Sequence, residues 1–287
     1  MSGELFQNNL HSSGDVPING ERYRLDELIH QGTDSRIYTA YQTNGGRDPA
    51  AFFAVKVIGC DRGDARWERA LGEIEAGLLM RRCRHAVRLL GYSVRQSGAH
   101  AELFLLMEKL SCCTDLEPDT REVLRMCADV CDALALLRRK GLVHGDVKTS
   151  NIFSHPVCGW QLGDFGSVGR VGEIAEYGSQ GYCAPEVWRG EPRDSRADVY
   201  SLGMTAYRLL SGGRLPFCPM PCDRMEDEAV YQAIERRMNG EPIPPIGGIS
   251  PPINRVLLKM CAFRPENRYQ NPREAGRECR RIWEDMH

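Results

Sequence analysis

The stretch HGDVKTSN, which spans residues 144–151, decides how the whole chain is interpreted. It places an acidic side chain, Asp146, two residues after His144, and an amide side chain, Asn151, five residues after the acid. Transfer of a phosphoryl group from ATP needs an acid that orients the acceptor and an oxygen ligand that holds a metal ion. The spacing makes Asp146 and Asn151 candidates for these two roles. Both residues could instead cap a turn, because short polar side chains often do so.

The bulk composition indicates a soluble globular chain. Its 287 residues are 42% apolar and 26% charged, and its formal net charge is −2. These values argue against a surface dedicated to nucleic acid or to a membrane. Residues 1–20 lack the apolar segment of a signal peptide, and no run approaches the roughly 18 apolar residues of a membrane span. We therefore expect a cytoplasmic protein whose twelve cysteines are buried thiols and not disulfides.

Hydrophobic patterns change from strand-like to helical along the chain. Segments rich in β-branched and aromatic residues predict strands at 22–29, 36–42, 51–58 and 102–108. NGGRD at 44–48 predicts a hairpin loop, and residues 65–82 predict a charged helix. In the second half, apolar residues recur at spacings of three and four over 121–141, and 197–213 predicts a more apolar helix. A strand-rich part followed by a helical part indicates an α+β fold.

Three further motifs supply parts that phosphoryl transfer requires. The sequence AVKVI places Lys56 on the third predicted strand, where its ammonium could grip the α- and β-phosphates of ATP. The tripeptide DFG at 164–166 follows a short predicted strand and offers the Asp164 carboxylate to Mg²⁺. APE at 184–186 lies downstream, at the end of a loop. Chance occurrence of all these motifs in this order and spacing is very improbable.

Together these motifs resemble the eukaryotic-like serine/threonine protein kinase family, and the resemblance extends from Glu21 to the C-terminus. It implies an α+β, bilobal fold, with a flexible segment at 1–20 and a kinase domain at 21–287. This domain would divide into a strand-rich N-lobe at 21–110 and a larger helical C-lobe at 111–287. The resemblance also implies that ATP and Mg²⁺ bind and that a protein hydroxyl accepts the phosphate. The identity of the protein substrate and the oligomeric state stay open, and no nucleic-acid or membrane partner is expected.

Around residues 144–151, which correspond to the catalytic loop of this family, the resemblance assigns further roles to individual residues. Lys148 would neutralise the transferred phosphate, and Ser179 stands where serine/threonine kinases usually have threonine. Asp198 would anchor the backbone of the catalytic loop, and Arg268 would pair with Glu186 of the APE motif. The histidine that opens the first motif would have a structural role, packed against the phenylalanine of DFG.

The residues of the ATP site follow from the same resemblance. The catalytic residues that it implies are Asp146, Lys148, Asn151, Asp164, Lys56 and Glu75, and the Mg²⁺ ligands among them are Asn151 and Asp164. The residues implied around the nucleotide are Ile29, Gly32, Ser35, Ile37, Ala54, Lys56, Met107, Glu108, Leu110 and Phe153. Glu75 is preferred as the helix partner of Lys56. Leu78 and Leu79 follow it by three and four residues, on one helical face. Glu73 is the alternative partner.

Two departures from the family pattern bear on activity and regulation. The glycine-rich loop aligns with residues 30–37 and keeps only its middle glycine, Gly32, so we expect weaker or slower binding of ATP but not its loss. Gly145 stands where many family members have an arginine that clamps a phosphorylated activation loop. The corresponding loop at 167–182 contains no threonine. We therefore expect catalysis that does not depend on phosphorylation of this loop.

Two other classes of function remain open. The degenerate glycine-rich loop also fits a pseudokinase, which binds partners without turnover. The sequence His-Gly-Asp is typical of small-molecule kinases of the aminoglycoside and choline type, although these enzymes typically lack the APE and DVYSLG motifs. Turnover of ATP with labelling of protein would distinguish the protein kinase from both.

Overall fold

A computed structural model of the chain describes residues 15–43, 52–115, 119–175, 178–219, 221 and 228–286. The chain forms two units. The first contains the described residues up to Leu78 together with Arg88–Lys109. The second contains Leu79–Val87 and the described residues from Leu110 onward. Lys109 ends the second stretch of the first unit, and residues 79–87 belong to the second unit. The division into lobes at 21–110 and 111–287 stays a prediction.

The first unit is built on one six-stranded antiparallel sheet. Its strands are β1 (Val16–Ile18), β2 (Glu21–Gln31), β3 (Ser35–Gln42), β4 (Phe53–Asp61), β5 (Leu89–Ser97) and β6 (His100–Glu108). They lie side by side in the order β1–β2–β3–β4–β6–β5, and every neighbouring pair is antiparallel. The helix α1 (Ala65–Met80) follows β4.

Apolar side chains pack on both faces of this sheet, because successive residues of a strand point in opposite directions. One face presents Val55 and Val57 of β4 to an apolar cluster that includes β1. The other face presents Ile58 to a cluster that includes Ile74 of α1. Lys56 lies two residues before Ile58 and therefore points to the face on which α1 packs.

The strands and the helix predicted for this unit are confirmed, with ends that differ by up to three residues. The hairpin predicted at 44–48 lies outside the described residues. Strand β5 was not predicted. It is the edge strand of the sheet, and its second half is exposed and polar, so the apolar alternation that marks a strand does not continue along it.

The expectation of a flexible segment over 1–20 needs correction at its end. Strand β1 pairs with β2 and buries Val16 and Ile18, which are 3% and 1% exposed. Residues 1–14 lie outside the described part of the chain. The sheet therefore begins before Glu21, where the kinase-like sequence was expected to start.

The second unit is mostly helical. Its helices are α2 (Thr120–Arg139), α3 (Pro185–Trp188), α4 (Ser195–Leu210), α5 (Glu228–Met238), α6 (Pro251–Met260) and α7 (Pro272–Glu284). Its short strands are β7 (Ser111–Cys112), β8 (Leu142–Val143), β9 (Ile152–His155), β10 (Gly159–Leu162) and β11 (Gly169–Arg170). They form the small sheets β10–β9–β7 and β11–β8.

Helix α2 forms where the apolar periodicity predicted it and leads into the catalytic loop. The residues of its predicted apolar stripe are at most 1% exposed, namely Val123, Cys127, Val130, Leu134 and Leu137. Asp119 caps its first turn by accepting a hydrogen bond from Glu122 N at 2.8 Å. After the helix, Gly141 takes a φ of 71°, which favours glycine, and the chain turns into β8 and the catalytic loop.

Helix α4 is buried along most of its length, as its apolar sequence predicted. Asp194 begins the helix, and its side chain accepts a hydrogen bond from Arg196 N. The helix carries Asp198, which is 2% exposed, into the interior of the second unit. Within the described ranges, no helix is both long enough and apolar enough to cross a membrane. The cysteines of these ranges are free thiols, and most of them are buried.

Candidate active site

Lys56 and Glu73 form a buried ion pair in the first unit. Lys56 Nζ donates hydrogen bonds to both carboxylate oxygens of Glu73, at 2.7 and 2.9 Å. Only 10% of the Lys56 side chain and 7% of the Glu73 side chain are exposed. Because both charges are removed from water, each depends on the other for compensation. The pair therefore holds the lysine ammonium in one place.

The prediction that Glu75 pairs with Lys56 is wrong. Glu75 is exposed, whereas Glu73 is 6% exposed. Two residues along an α-helix correspond to a rotation of roughly 200°, so the two carboxylates lie on opposite sides of α1. Glu73 shares the buried side with Ala70 and Ile74. The apolar residues of α1 favour a buried position for Glu73, but which glutamate reaches Lys56 depends on how α1 packs on the sheet.

Three of the predicted nucleotide-binding residues lie on the same face of the sheet as Lys56. Ile37 of β3 pairs directly with Lys56, and Ala54 of β4 pairs directly with Met107 of β6. Directly paired residues of antiparallel strands share a face, and so do residues two apart on one strand. Ile37, Ala54 and Met107 therefore lie beside the lysine. Glu108 pairs with Phe53 and lies on the opposite face.

A tight turn between β2 and β3 replaces the expected glycine-rich loop. Gly32 N donates to Ser35 O at 2.9 Å, which closes the turn. The pairing of β2 with β3 is irregular between Leu28 and His30. Ile29 lies at this irregularity, and its side chain is 46% exposed. A single glycine therefore suffices to form the turn.

Asp146 lies at the centre of a hydrogen-bonded cluster in the second unit. Ser179 Oγ donates to Asp146 Oδ1 at 2.6 Å, and Lys148 Nζ lies 2.8 Å from Asp146 Oδ2. Lys148 Nζ also donates to Ser179 Oγ at 3.2 Å. Asn151 Nδ2 donates to the backbone oxygen of Asp146 at 2.9 Å and to its Oδ2 at 3.1 Å. A hydroxyl, an ammonium and an amide thus hold the carboxylate in one orientation.

Asp198 anchors the backbone of the catalytic loop, as the sequence predicted. Its Oδ2 accepts from His144 N at 2.8 Å, and its Oδ1 accepts from Gly145 N at 2.9 Å. Burial raises the pKa of Asp198, whereas the His144 imidazole, the two N–H donors and the Arg193 guanidinium act to lower it. The buried carboxylate is therefore compensated by groups on the loop and by a nearby cation.

His144 links the catalytic loop to the segment that carries Asp164. Its Nδ1 accepts from Asp146 N at 3.3 Å, so its proton lies on Nε2, which donates to Gly163 O at 3.2 Å. The imidazole contacts the Phe165 ring edge-on, with 5.5 Å between the ring centroids. None of His144 is exposed. The residue thus has the structural role that the sequence predicted.

Asn151 and Asp164 offer oxygen ligands that suit Mg²⁺. The amide nitrogen of Asn151 donates to Asp146, and its amide oxygen, which accepts from Ser150 Oγ at 3.5 Å, is the atom of this side chain that can bind a cation. Asp164 is exposed, takes a left-handed φ of 57°, and accepts a hydrogen bond from Gly166 N at 3.4 Å. Mg²⁺ prefers carboxylate and carbonyl oxygens together with phosphate oxygens. This donor set fits Mg²⁺ bound with a nucleotide.

Phe153 lies beside the segment that precedes Asp164. In the small sheet it pairs with Cys112 of β7. A Cβ on Gly163 would lie 2.9 Å from Phe153 Cε2, so glycine is needed at this position for the ring to approach the backbone. Leu110 is half-buried and is the first residue of the second stretch of chain in the second unit. The ring of Phe153 thus lies near the segment that carries Asp164.

Comparison with known proteins identifies the family. The pattern that defines the protein kinase domain matches residues 23–277 of the chain. The chain belongs to the protein kinase family. The serine/threonine-protein kinase PknB of Mycobacterium leprae is 28% identical over 285 residues, which cover 93% of this chain and 44% of the relative. PknB of Mycobacterium tuberculosis is 30% identical over 284 residues, which cover 91% of this chain and 43% of the relative.

This kinase spans less than half the length of these two relatives. A solved structure, the kinase PK-1 of Cydia pomonella Granulovirus, matches with a TM-score of 0.70 and 21% identity, and covers 88% of this chain and 92% of that chain. The likeness to PK-1 shows a shared fold. The comparisons confirm the predicted protein kinase family and the kinase fold.

The ion pair predicted between Arg268 and Glu186 is present in the kinase. The two guanidinium nitrogens of Arg268 donate to the two carboxylate oxygens of Glu186, at 2.6 and 2.7 Å. The Arg268 side chain is fully buried, and it also donates to the backbone oxygens of Ala262 and Phe263. This bidentate pair fastens the end of the APE motif to the loop that precedes α7.

A buried arginine of the kinase was missed by the sequence motifs. Arg237 is 2% exposed, and its Nη1 and Nη2 donate to Gly181 O at 2.6 Å and to Gln180 O at 3.0 Å. Both carbonyls belong to the loop GSQGYCAPE. Arg237 lies on the apolar side of α5, with Ala233 and Ile234. In the sequence, a charged residue on the apolar side of a helix was the feature that could have indicated a buried arginine.

Two adjacent thiols of the kinase differ sharply in acidity. A hydrogen bond from Cys113 lowers the pKa of the half-buried Cys112 thiol to about 6, with further help from Thr114, whose hydroxyl lies 3.2 Å from the sulfur. The same bond, together with burial, raises the pKa of Cys113. Cys113 is fully buried, and its Sγ lies 3.0 Å from Thr149 O. Cys112 is therefore the more acidic of the two thiols.

Proposed function

We propose that this kinase transfers the γ-phosphate of ATP to serine or threonine hydroxyls of a protein, with Mg²⁺ as the metal. The observation that carries the proposal is the contact of Ser179 with Asp146. A serine hydroxyl donates to the Asp146 carboxylate at 2.6 Å, and the Lys148 ammonium lies within hydrogen-bonding distance of both groups. An acceptor hydroxyl needs this combination, an acid that takes its hydrogen bond and a cation beside it.

In the proposed reaction, the acceptor oxygen bonds to the γ-phosphorus while the bond from that phosphorus to the β,γ-bridging oxygen breaks. Asp146 orients the hydroxyl and accepts its proton, and Lys148 balances the charge of the phosphoryl group as it moves. Lys56, held by Glu73, binds the α- and β-phosphates of ATP. Asn151 and Asp164 would hold Mg²⁺, which would neutralise charge on the phosphate oxygens.

The nucleotide is expected to bind along residues that the same family pattern assigns. The adenine ring would contact apolar side chains and its edge would meet backbone groups, at Ile29, Ile37, Ala54, Met107, Glu108, Leu110 and Phe153. Gly32 and Ser35 would lie over the phosphates. Backbone N–H groups of a tight turn can bind phosphate with few glycines, which supports weaker binding of ATP without its loss.

We further propose that the activity does not require phosphorylation of the activation segment at 167–182. Gly145 has no side chain with which to bind a phosphate in that segment. The segment contains no threonine, and Ser179 is already used by Asp146 and Lys148. Phosphatase treatment of the purified kinase is expected to leave its rate within about twofold; loss of most of the activity would contradict this part of the proposal.

The deciding experiment is incubation of the purified chain with ATP, Mg²⁺ and a generic basic protein, followed by mass spectrometry. Phosphoserine or phosphothreonine is expected with the natural chain and not with Asp146→Asn or Asp164→Asn. Asp132→Asn is a matched control, because its carboxylate is exposed on α2 and pairs with Arg280. It should behave as the natural chain does.

Two other outcomes would overturn the proposed function. Consumption of ATP with small alcohols and without any labelled protein would identify a small-molecule kinase. Absence of any phosphate transfer, together with tight binding of ATP in a direct titration, would identify a binding protein without turnover.

A further inference from the structure

Gly145 and Arg193 share one space in the second unit. Gly145 has a φ of 81°, and a Cβ built on it would lie 2.0 Å from Arg193 Nη1 and 2.8 Å from Ser167 O. Real Cβ atoms do not approach other atoms so closely. A side chain at position 145 and the guanidinium of Arg193 in its present place therefore exclude each other.

A second glycine completes the space that the guanidinium fills. A Cβ on Gly169 would lie 2.4 Å from Arg193 Nη2 and 2.8 Å from Glu173 Oε2. Arg193 is 7% exposed, and its Nη2 donates to Ser167 O at 3.0 Å. The guanidinium thus lies between the catalytic loop, at Gly145, and the first part of the activation segment.

The backbone of Arg193 holds the same segment from its other side. Arg193 N donates to Glu173 O at 3.1 Å, and Gly172 N donates to Arg193 O at 2.9 Å. Glu173 Oε2 in turn accepts from Arg170 N at 2.7 Å. The short strand β11 pairs with β8, which leads into the catalytic loop. Residues 169–173 are therefore fixed by Arg193 and by the strand before the loop.

Removing the Arg193 guanidinium from water has an unfavourable free energy, so stability alone does not explain its position here. The guanidinium is buried, its Nε has no hydrogen-bond partner among the described residues, and its charge is offset only in part by the nearby Asp198 carboxylate. A buried cation that is only partly hydrogen-bonded stabilises a fold no better than an apolar side chain of similar size. The cost is consistent with a role in holding the loop and the segment in register, which an apolar side chain could not perform.

We propose that Arg193 is a positioning residue that takes the place of the missing side chain at Gly145 and joins the catalytic loop to residues 167–173 without a phosphate. This inference rests on the proposed kinase function for its effect on rate. Its structural part does not, because the order of the segment can be measured in the absence of any substrate.

The test uses Arg193→Met, which keeps the length of the side chain and removes its donors, in phosphatase-treated protein. Hydrogen exchange of the amides at 168–173 is expected to be about tenfold faster or more, with exchange in α2 unchanged. The kcat for a peptide substrate should fall by about 10- to 100-fold, while the KM for ATP stays within about twofold. Arg196→Ala is the matched control, because its guanidinium is part-exposed and binds Asp194, two residues earlier in the chain. It should change neither quantity.

A second variant tests the shared space directly. Gly145→Ala should speed exchange at 168–173 in the natural chain, because its methyl group must displace the guanidinium. The same substitution should add much less in the Arg193→Met background. Should Arg193→Met not fold, Arg193→Lys, which keeps one donor, is expected to give an intermediate rate of exchange.

Unchanged exchange at 168–173 in Arg193→Met, or an equal effect of Gly145→Ala in both backgrounds, would overturn the assignment of Arg193. Faster exchange with an unchanged kcat would overturn its link to catalysis. A natural chain without kinase activity would refute the proposed function, and the exchange measurements would still decide whether Arg193 orders the segment.

Discussion

Lys56 Nζ lies 2.7 and 2.9 Å from the two carboxylate oxygens of Glu73, and both side chains are buried. An ammonium held from two sides by one carboxylate has little freedom to turn away. Under the proposed function, this fixes the charge that would meet the phosphates of ATP. A second glutamate, Glu75, lies two residues further along α1, so the two glutamates can be compared as partners of Lys56.

Glu73→Gln is expected to lower kcat/KM by about 100-fold, because the amide keeps the volume of the side chain but no longer holds the ammonium by charge. Glu75→Gln is the matched control. It removes an exposed carboxylate from the same helix and should leave kcat/KM within about twofold. Steady-state rates with a peptide substrate measure both values, and an equal loss in the two variants would show that Glu73 has no special role.

Ser179→Ala is expected to reduce kcat by about 10- to 100-fold, the equivalent of one hydrogen bond to a charged group. The substitution removes the hydroxyl that lies between Asp146 and Lys148. Ser179→Thr keeps the hydroxyl and should retain most of the rate, and Ser167→Ala, at an exposed side chain of the same segment, should have no effect. Threonine performing as poorly as alanine would argue that packing at this position matters and the hydroxyl does not.

Arg268→Met is expected to lower the free energy of unfolding by about 3–5 kcal/mol, because it leaves the Glu186 carboxylate buried without its cation. The double variant Arg268→Met with Glu186→Leu should recover a large part of the loss, since it removes both charges. Urea denaturation measures all three free energies. Arg236→Ala serves as the control, because its ion pair with Glu241 is exposed and contributes little to stability. Equal stability of the single and double variants would show that the unpaired charge is not the cause.

Cys112 is expected to react with iodoacetamide at a rate whose pH midpoint lies near 6. The thiolate is the reactive form, so the rate rises as the pH passes the pKa of about 6 and levels off above it. Cys113→Ala removes the hydrogen bond that lowers this pKa and should move the midpoint upward. Mass spectrometry of the alkylated peptide gives the rate at each pH. A midpoint in the ordinary thiol range for the natural chain would contradict the effect of Cys113.

Local sequence was sufficient for the strands β2, β3, β4 and β6 and for the helices α1, α2 and α4. Their apolar periodicity is strong, and periodicity determines which face an element buries. Strand β5 was missed because an edge strand that is half exposed does not need alternating residues. Strand β1 was missed because three residues are too few to show a pattern.

Some residues of the candidate site could be predicted from the sequence, and others could not. Asp146, Lys148, Asn151 and Asp164 could be named from the sequence, because the chemistry requires these residue types at spacings that a single loop or turn sets. Glu73 could not be named with certainty, because the choice between two glutamates depends on which side of α1 packs on the sheet. Arg237 was missed because its partners, two backbone carbonyls, leave no mark in the sequence.

The sequence by itself named the candidate catalytic residues and the elements that carry them, since both depend on spacings of a few residues. Only the tertiary structure decided which glutamate compensates Lys56 and what fills the space at Gly145. Each of these depends on a contact between residues far apart in the chain. Such contacts are set by how the elements pack, and local sequence preferences do not specify that packing. In the sequence, Gly145 marks the loss of an arginine. In the folded chain, its missing side chain leaves the space in which the Arg193 guanidinium lies.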